Sequence, residues 1–183
     1  MSRTLELIAP DRAHLPAYAA ALRTGWSPST TTDVSGAFLA AIDADADAFL
    51  ADLVSSDGVV VQPDGTTRPK LPQIIRWMWD NEFVGSINLR WQCGTDDLPP
   101  HVSGHIGYAV VPWKRRKGYA TEALRMMLPE AKTVGLRSVE ITTDVGNDAS
   151  RRVIERCGGV HVATRDNPFT GLPKLHYRID LAS

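Results

Sequence analysis

The run Tyr108-Ala-Val-Val-Pro-Trp-Lys-Arg-Arg-Lys-Gly-Tyr-Ala-Thr-Glu-Ala constrains the chain more than any other segment. A strand-like stretch stops at Pro112, which cannot donate to a ladder, and a basic turn follows. At Gly118 the pattern changes period. Ala120, Ala123, Leu124, Met127, Leu128 and Ala131 then recur at the spacing of one helix face. A strand entering a helix through a glycine builds an anion site. The first-turn amides have no intrahelical acceptor, and the macrodipole adds positive charge at the same place. Gly118 lets backbone approach an anion closely, Ala120 keeps the next inward position small, and Arg115, Arg116 and Lys117 add formal charge. A solvated basic turn is the bland alternative, and the flanking strand and helix weigh against it.

The rest of the chain alternates strands and helices. Thr4–Ala9 reads as a strand, and Asp11 as the N-cap of a helix carrying Leu15, Tyr18, Ala19 and Leu22. Gly25–Gly36 is rich in turn formers and reads as a loop presenting Trp26, followed by a helix over Asp43–Leu53. Val59–Val61 is a short extended run between turns. Ile74–Trp79 and Val84–Trp91 form a hairpin about Asp80–Glu82, and Gly104–Val111 adds a third strand. Pro129 predicts a kink in the helix after Gly118. Ser138–Thr143 is a strand, Asn147–Cys157 a helix stopped by Gly158-Gly159, and Val160–Ala163 and Leu175–Leu181 are closing strands. The order predicts a mixed α/β (α+β) architecture in a single domain over residues 1–183.

Composition narrows the functions. The 183 residues carry 20 basic and 21 acidic side chains, a net charge of -1, which gives no general attraction to nucleic acid or anionic lipid. No run approaches the length of a membrane span, and the N-terminus lacks a signal-type apolar stretch. Cys93 and Cys157 show no metal-ligand spacing and read as reduced thiols, so a cytoplasmic protein without a metal is expected. Neither phosphate-loop pattern, Gly-x-x-x-x-Gly-Lys-Ser/Thr nor Gly-x-Gly-x-x-Gly, is present at a helix start.

Arg115-Arg116-Lys117-Gly118-Tyr119-Ala120 matches the signature Arg/Gln-x-x-Gly-x-Gly/Ala, and Asn147-Asp-Ala-Ser with its Cys157-Gly-Gly ending matches the pattern Asn-x-x-Ser/Ala. On these motifs the chain resembles the GCN5-related N-acetyltransferase family, in a bacterial subgroup of predicted acetyltransferases. The resemblance is strong over Ile74–Val162 and fades before Leu71. It implies a mostly antiparallel sheet of six to seven strands, about four flanking helices and a V-shaped split between central strands. It implies acetyl-CoA in that split, as co-substrate. The cofactor contacts would come from Ala109, Val110 and Val111, from Arg115, Arg116, Lys117, Gly118, Tyr119, Ala120 and Thr121, and from Asn147. Asn147 is equally explained as the cap of its own helix.

The implied reaction moves acetyl to a primary amine of a small molecule or peptide terminus. The alternative is a regulatory module that binds acetyl-CoA without turnover. The tyrosine that many relatives use as thiolate acid is absent, since Ile154 stands at its position. Ser150 is the replacement candidate, against the plain reading of a helix serine bonding its own backbone. His105 is the candidate base, although strand alternation puts it on the face opposite Val110. Asp144 and Glu82 are lesser candidates, and Thr142 fills the place of a glutamate found in some relatives. Trp26 is a candidate wall of the acceptor site. A homodimer fits the habits of the family.

Overall fold

The computed structural model describes residues 4–61, 65–167 and 170–181. Strand β1 (Glu6–Ile8) leads to α1 (Leu15–Arg23), whose Leu15, Tyr18, Ala19 and Leu22 are buried as one face. The helix starts later than Asp11. The Asp11 carboxylate instead accepts from the His14 amide at 2.8 Å and closes the turn that precedes it.

The loop ends two residues before Gly36, where an additional helix, α2 (Ser35–Ala44), begins, and the helix expected over Asp43–Leu53 is α3 (Ala46–Val54). Asp45 separates the two. Its backbone is extended, and its carboxylate accepts from the amides of Asp47 and Ala48, so α2 ends where a cap for α3 begins. Phe38, Leu39 and Ile42 of α2 pack toward the core, but the Ser/Thr-rich approach to Gly36 masks their helical spacing. A small exposed hairpin, β2 (Val59–Val61) and β3 (Thr67–Pro69), follows.

The sheet comes in two parts. β4 (Gln73–Trp79), β5 (Phe83–Arg90) and β6 (Ile106–Val110) form an antiparallel meander with β1 at its edge, in the order β1-β4-β5-β6. After α4 (Tyr119–Thr133), which continues through Pro129, come β7 (Ser138–Asp144), α5 (Asp148–Arg156), β8 (Val160–Asp166) and β9 (Pro173–Asp180), with strand order β7-β9-β8. Gly158, at a φ of 88°, ends α5 as expected. Among the described residues nine strands thus form a four-stranded sheet, a three-stranded sheet and the separate β2–β3 hairpin, with five α-helices where about four were expected.

Two apolar cores lie on opposite faces. The first joins Ile87, Leu89 and Ile106 to Leu124 and Met127 of α4 and to Val139, Ile141, Ile154 and Tyr177, so it runs beneath both ladders. The second gathers Tyr18, Leu22, Trp26, Phe49, Trp77 and Phe83 under α1 and α3. Strand β6 alternates between them: Tyr108 and Val110 pack with the first core, Ala109 and Val111 with the second.

The candidate acetyl-transfer site

The basic turn forms as its sequence predicts. Pro112–Lys114 make one 3-10 turn, Arg116 takes a left-handed φ of 61°, and Gly118 takes 85° as the residue before α4. No side chain caps that end of the helix, and the first intrahelical bond runs from Glu122 N–H to Gly118 O. The first-turn amides of Ala120 and Thr121 lie beyond the reach of that helical ladder. Alternating left-handed and right-handed residues make the concave array of N–H groups that holds anions. Arg115, Arg116 and Lys117 are exposed around it, and Arg116 has no hydrogen bond or ion pair with any described residue. Lys114, by contrast, is committed to Glu82 in an ion pair. Tyr119 is buried, with its hydroxyl donating to Asp80 at 2.6 Å.

Beside this cradle the sheet divides. β6 and β7 share no ladder, and the chain just before β6 is tied to β7 at Glu140. There the His105 N–H donates to Glu140 O at 2.6 Å and the Glu140 N–H donates to His105 Nδ1 at 2.9 Å. Above that tie the strands part. The Val111 N–H donates to Val84 O, and Ala109 O lies against Gly85 on β5, so both of these residues turn their backbone away from the split. Antiparallel alternation then leaves Tyr108 and Val110 to face it. Of the three residues expected to pair with the cofactor arm, Val110 alone is so oriented, and its carbonyl accepts from Arg115 Nε at 3.1 Å.

The first turn of α5 forms the other wall. The Asn147 side chain accepts from the Ser150 amide at 3.1 Å, the capping role that its residue type allows. The Ser150 hydroxyl does not turn back onto its own helix. Its Oγ lies 2.9 Å from the hydroxyl of Tyr108, 42 positions earlier in the chain. Burial pushes that phenol up to about 12, with the Ser150 contact pulling slightly the other way, so Tyr108 stays protonated at neutral pH. The expected position for a tyrosine, Ile154, is wholly buried in the first core and has no opening to the split.

His105 is 2 % exposed, its Nδ1 is occupied by the Glu140 amide, and burial lowers its pKa. Its placement is that of a tie between ladders and does not suit the base role expected of it. Strand alternation puts Glu140, Thr142 and His176 on the same side, away from the first core, and there His176 Nδ1 lies 2.9 Å from Glu140 Oε1. A carboxylate bonded to one ring nitrogen fixes the tautomer and leaves Nε2 as the basic atom. Asp144 is paired with Lys174 at 3.1 Å, and Thr142 Oγ1 donates to Ser103 O.

Trp26, expected as an acceptor wall, is 3 % exposed. It packs edge-on against Tyr18 and Phe83 at 5.8 and 5.2 Å, because α1 and the start of β5 close over it. Cys157 Sγ donates to Thr121 O at 3.5 Å and so ties the end of α5 to the cradle, and burial raises its thiol pKa and disfavours the thiolate.

Residues 4–160 match the acetyltransferase (GNAT) domain family. No curated protein matches the chain in sequence. Among solved structures, RimL, a ribosomal alpha-N-protein acetyltransferase in complex with coenzyme A, superposes with a TM-score of 0.63 at 16% identity, over 98% of this chain and 96% of that one. YncA from Salmonella typhimurium, a putative acetyltransferase with acetyl-CoA, gives 0.59 at 14% identity, over 100% and 96%. A spermidine N-acetyltransferase chimera from Vibrio cholerae SpeG and hSSAT gives 0.61 at 12% identity, over 97% and 95%.

Proposed function

Because the chain belongs to the GNAT family of acetyltransferases, we propose that it moves the acetyl group of acetyl-CoA to a primary amine of a small molecule or of a peptide terminus. The observation that carries this reading is the uncapped helix start at Gly118 beside the split between β6 and β7. Arg115, Arg116 and Lys117 together with the amides from Gly118 to Thr121 suit a pyrophosphate. The Val110 backbone would take the pantetheine arm as an added strand, with Arg115 releasing the carbonyl that it now holds. The side-chain nitrogen of Asn147 is available to the same arm, since only its oxygen serves as a cap.

Acetyl-CoA supplies an activated thioester. The protein must take a proton from the amine and give one to the leaving thiolate. Ser150 is the donor in this reading. A serine hydroxyl alone is an acid about as weak as water, but Tyr108 at 2.9 Å can pass its own proton on, leaving the charge on a phenol oxygen. The Glu140–His176 pair lies on the side from which α1–α3 would present an acceptor, and His176 Nε2 is the proposed base. Neighbours named for action on a protein α-amine and on spermidine fit an amine acceptor. A cytoplasmic location agrees with free Cys93 and Cys157.

Calorimetric titration with acetyl-CoA tests the cofactor claim. Gly118→Asp sets a carboxylate in the cradle. At about 4 Å from a phosphate charge it costs about 1 kcal/mol with full water screening and about 4 kcal/mol at the screening of a surface pair, which is about fivefold to several hundredfold in affinity. Wild-type affinity in a folded Gly118→Asp protein would remove the cradle from the proposal. Thiol release with any amine then separates catalysis from passive cofactor binding.

A further inference from the structure

We infer that the acceptor carries a carboxylate, recognised by Arg90 on the face of the sheet turned away from α4. This rests on the acetyl-transfer reading and specifies its second substrate. Arg90 ends β5 opposite Gln73, whose side chain reaches Leu53 O and Ser55 O at the end of α3, so the two share the α1–α3 side.

The Arg90 guanidinium makes no hydrogen bond or ion pair with any described residue, and its Nε is fully buried. A buried cation without a partner is expensive, and burial indeed pulls its pKa down. The carboxylates of this neighbourhood are already taken. Glu140 is held by His176 at 2.9 Å, and Asp96 receives the Arg137 amide and Nε at 2.9 and 2.8 Å.

The groups around Arg90 share its condition. Asn88, two residues earlier on the same face, has no side-chain partner among the described residues. His105 Nε2 is buried and unpartnered. With Nδ1 accepting from Glu140 N–H, the neutral ring carries its proton on Nε2 and so presents a donor. Gly107 completes the arrangement. A Cβ there would meet Asn88 Oδ1 at 2.8 Å and Arg90 Nη2 at 3.6 Å, so the amide and the guanidinium lie over the bare backbone of β6, the strand that borders the split. A planar fork of N–H donors flanked by neutral polar groups matches one carboxylate, which arginine binds through two parallel bonds.

The test is calorimetric and independent of turnover. Protein saturated with CoA is titrated with N-acetylglycine, N-acetyl-β-alanine and N-acetyl-γ-aminobutyrate, each against its neutral primary amide. At least one acid should bind tenfold or more tightly than its amide, and Arg90→Gln should bring that ratio to about one while leaving acetyl-CoA affinity unchanged. Its unfolding midpoint should hold or rise, because no native partner of the guanidinium is lost. Arg90→Met, which keeps the length of the apolar stem, serves if glutamine disturbs folding. An equal response to acids and amides in the wild type, or a preference that survives both variants, overturns the inference. Failure of the wild type to bind acetyl-CoA would instead strike the underlying reading.

Discussion

Replacing Tyr108 by phenylalanine removes one oxygen and keeps a ring that packs against the first core. The lost contact is a neutral hydroxyl pair at 2.9 Å, so stability should fall by about 0.5–1.5 kcal/mol. Turnover should fall much further. Loss of a general acid costs about 10²–10⁴-fold, or about 3–5 kcal/mol of transition-state stabilisation, and the Tyr108→Phe loss should sit within that range in kcat with little change in acetyl-CoA affinity. Steady-state thiol release and calorimetry measure the two quantities. Ser150→Ala should lose a similar factor. If Tyr108 and Ser150 pass one proton, the double variant loses no more than the worse single one, because a broken relay cannot be broken twice. The pH dependence of folding gives an independent check. The folded phenol, at about 12, lies above its ordinary unfolded value near 10, so the folded state keeps a proton that the unfolded chain releases. That stability is present below about pH 10 and is lost toward pH 12, by about 3 kcal/mol at most, and Tyr108→Phe should lack this share of the alkaline loss while the buried Tyr18 keeps its own. Wild-type kcat in Tyr108→Phe, or additive losses in the double variant, would refute the relay.

Two further outcomes follow from packing. His105 is buried in its neutral form, with Nδ1 accepting the Glu140 N–H, and its folded pKa lies below the unfolded 6.5. Its contribution is therefore present above about pH 6.5 and lost as pH falls, so urea midpoints taken between pH 7.5 and 5 should drop less in His105→Phe than in the wild type; equal slopes would refute this. Trp26→Ala should cost about 3–5 kcal/mol in urea unfolding, since the ring is core, and a marginal stability change with a raised acceptor KM would return Trp26 to the acceptor site.

The sequence carried the cradle because everything it needs is contiguous: strand, proline, basic turn, glycine and helix lie within Tyr108–Ala123. The strands of both ladders were legible for the same reason, as period-two runs bounded by turn residues. What escaped is long-range. Tyr108 and Ser150 are 42 positions apart, and Glu140 and His176 are 36 apart. Alternation along β6 does put Tyr108 on the face of Val110, a signal toward the first pair, but nothing local says that α5 turns Ser150 to meet it. Arg90 shows no signature at all, since a terminal strand arginine reads as solvated until its partners prove missing. Trp26 misleads in the opposite direction. Its polar neighbours describe the chain around it, whereas burial is decided by Tyr18 and Phe83 from other elements.

The ties from His105 to Glu140 and from Thr142 to Ser103 also make the divided sheet a lever. From the His105 tie to Val110 the strand runs five residues, roughly 16 Å at about 3.3 Å per residue. A relative rotation of about 4° at the tie therefore moves the mouth by about 1 Å, a small hinge motion over side-chain packing with no ladder bonds to break among the described residues. Any change in the gap between Val110 and Ser150 would thus be set at its far end, where the buried His105 ring joins the two ladders.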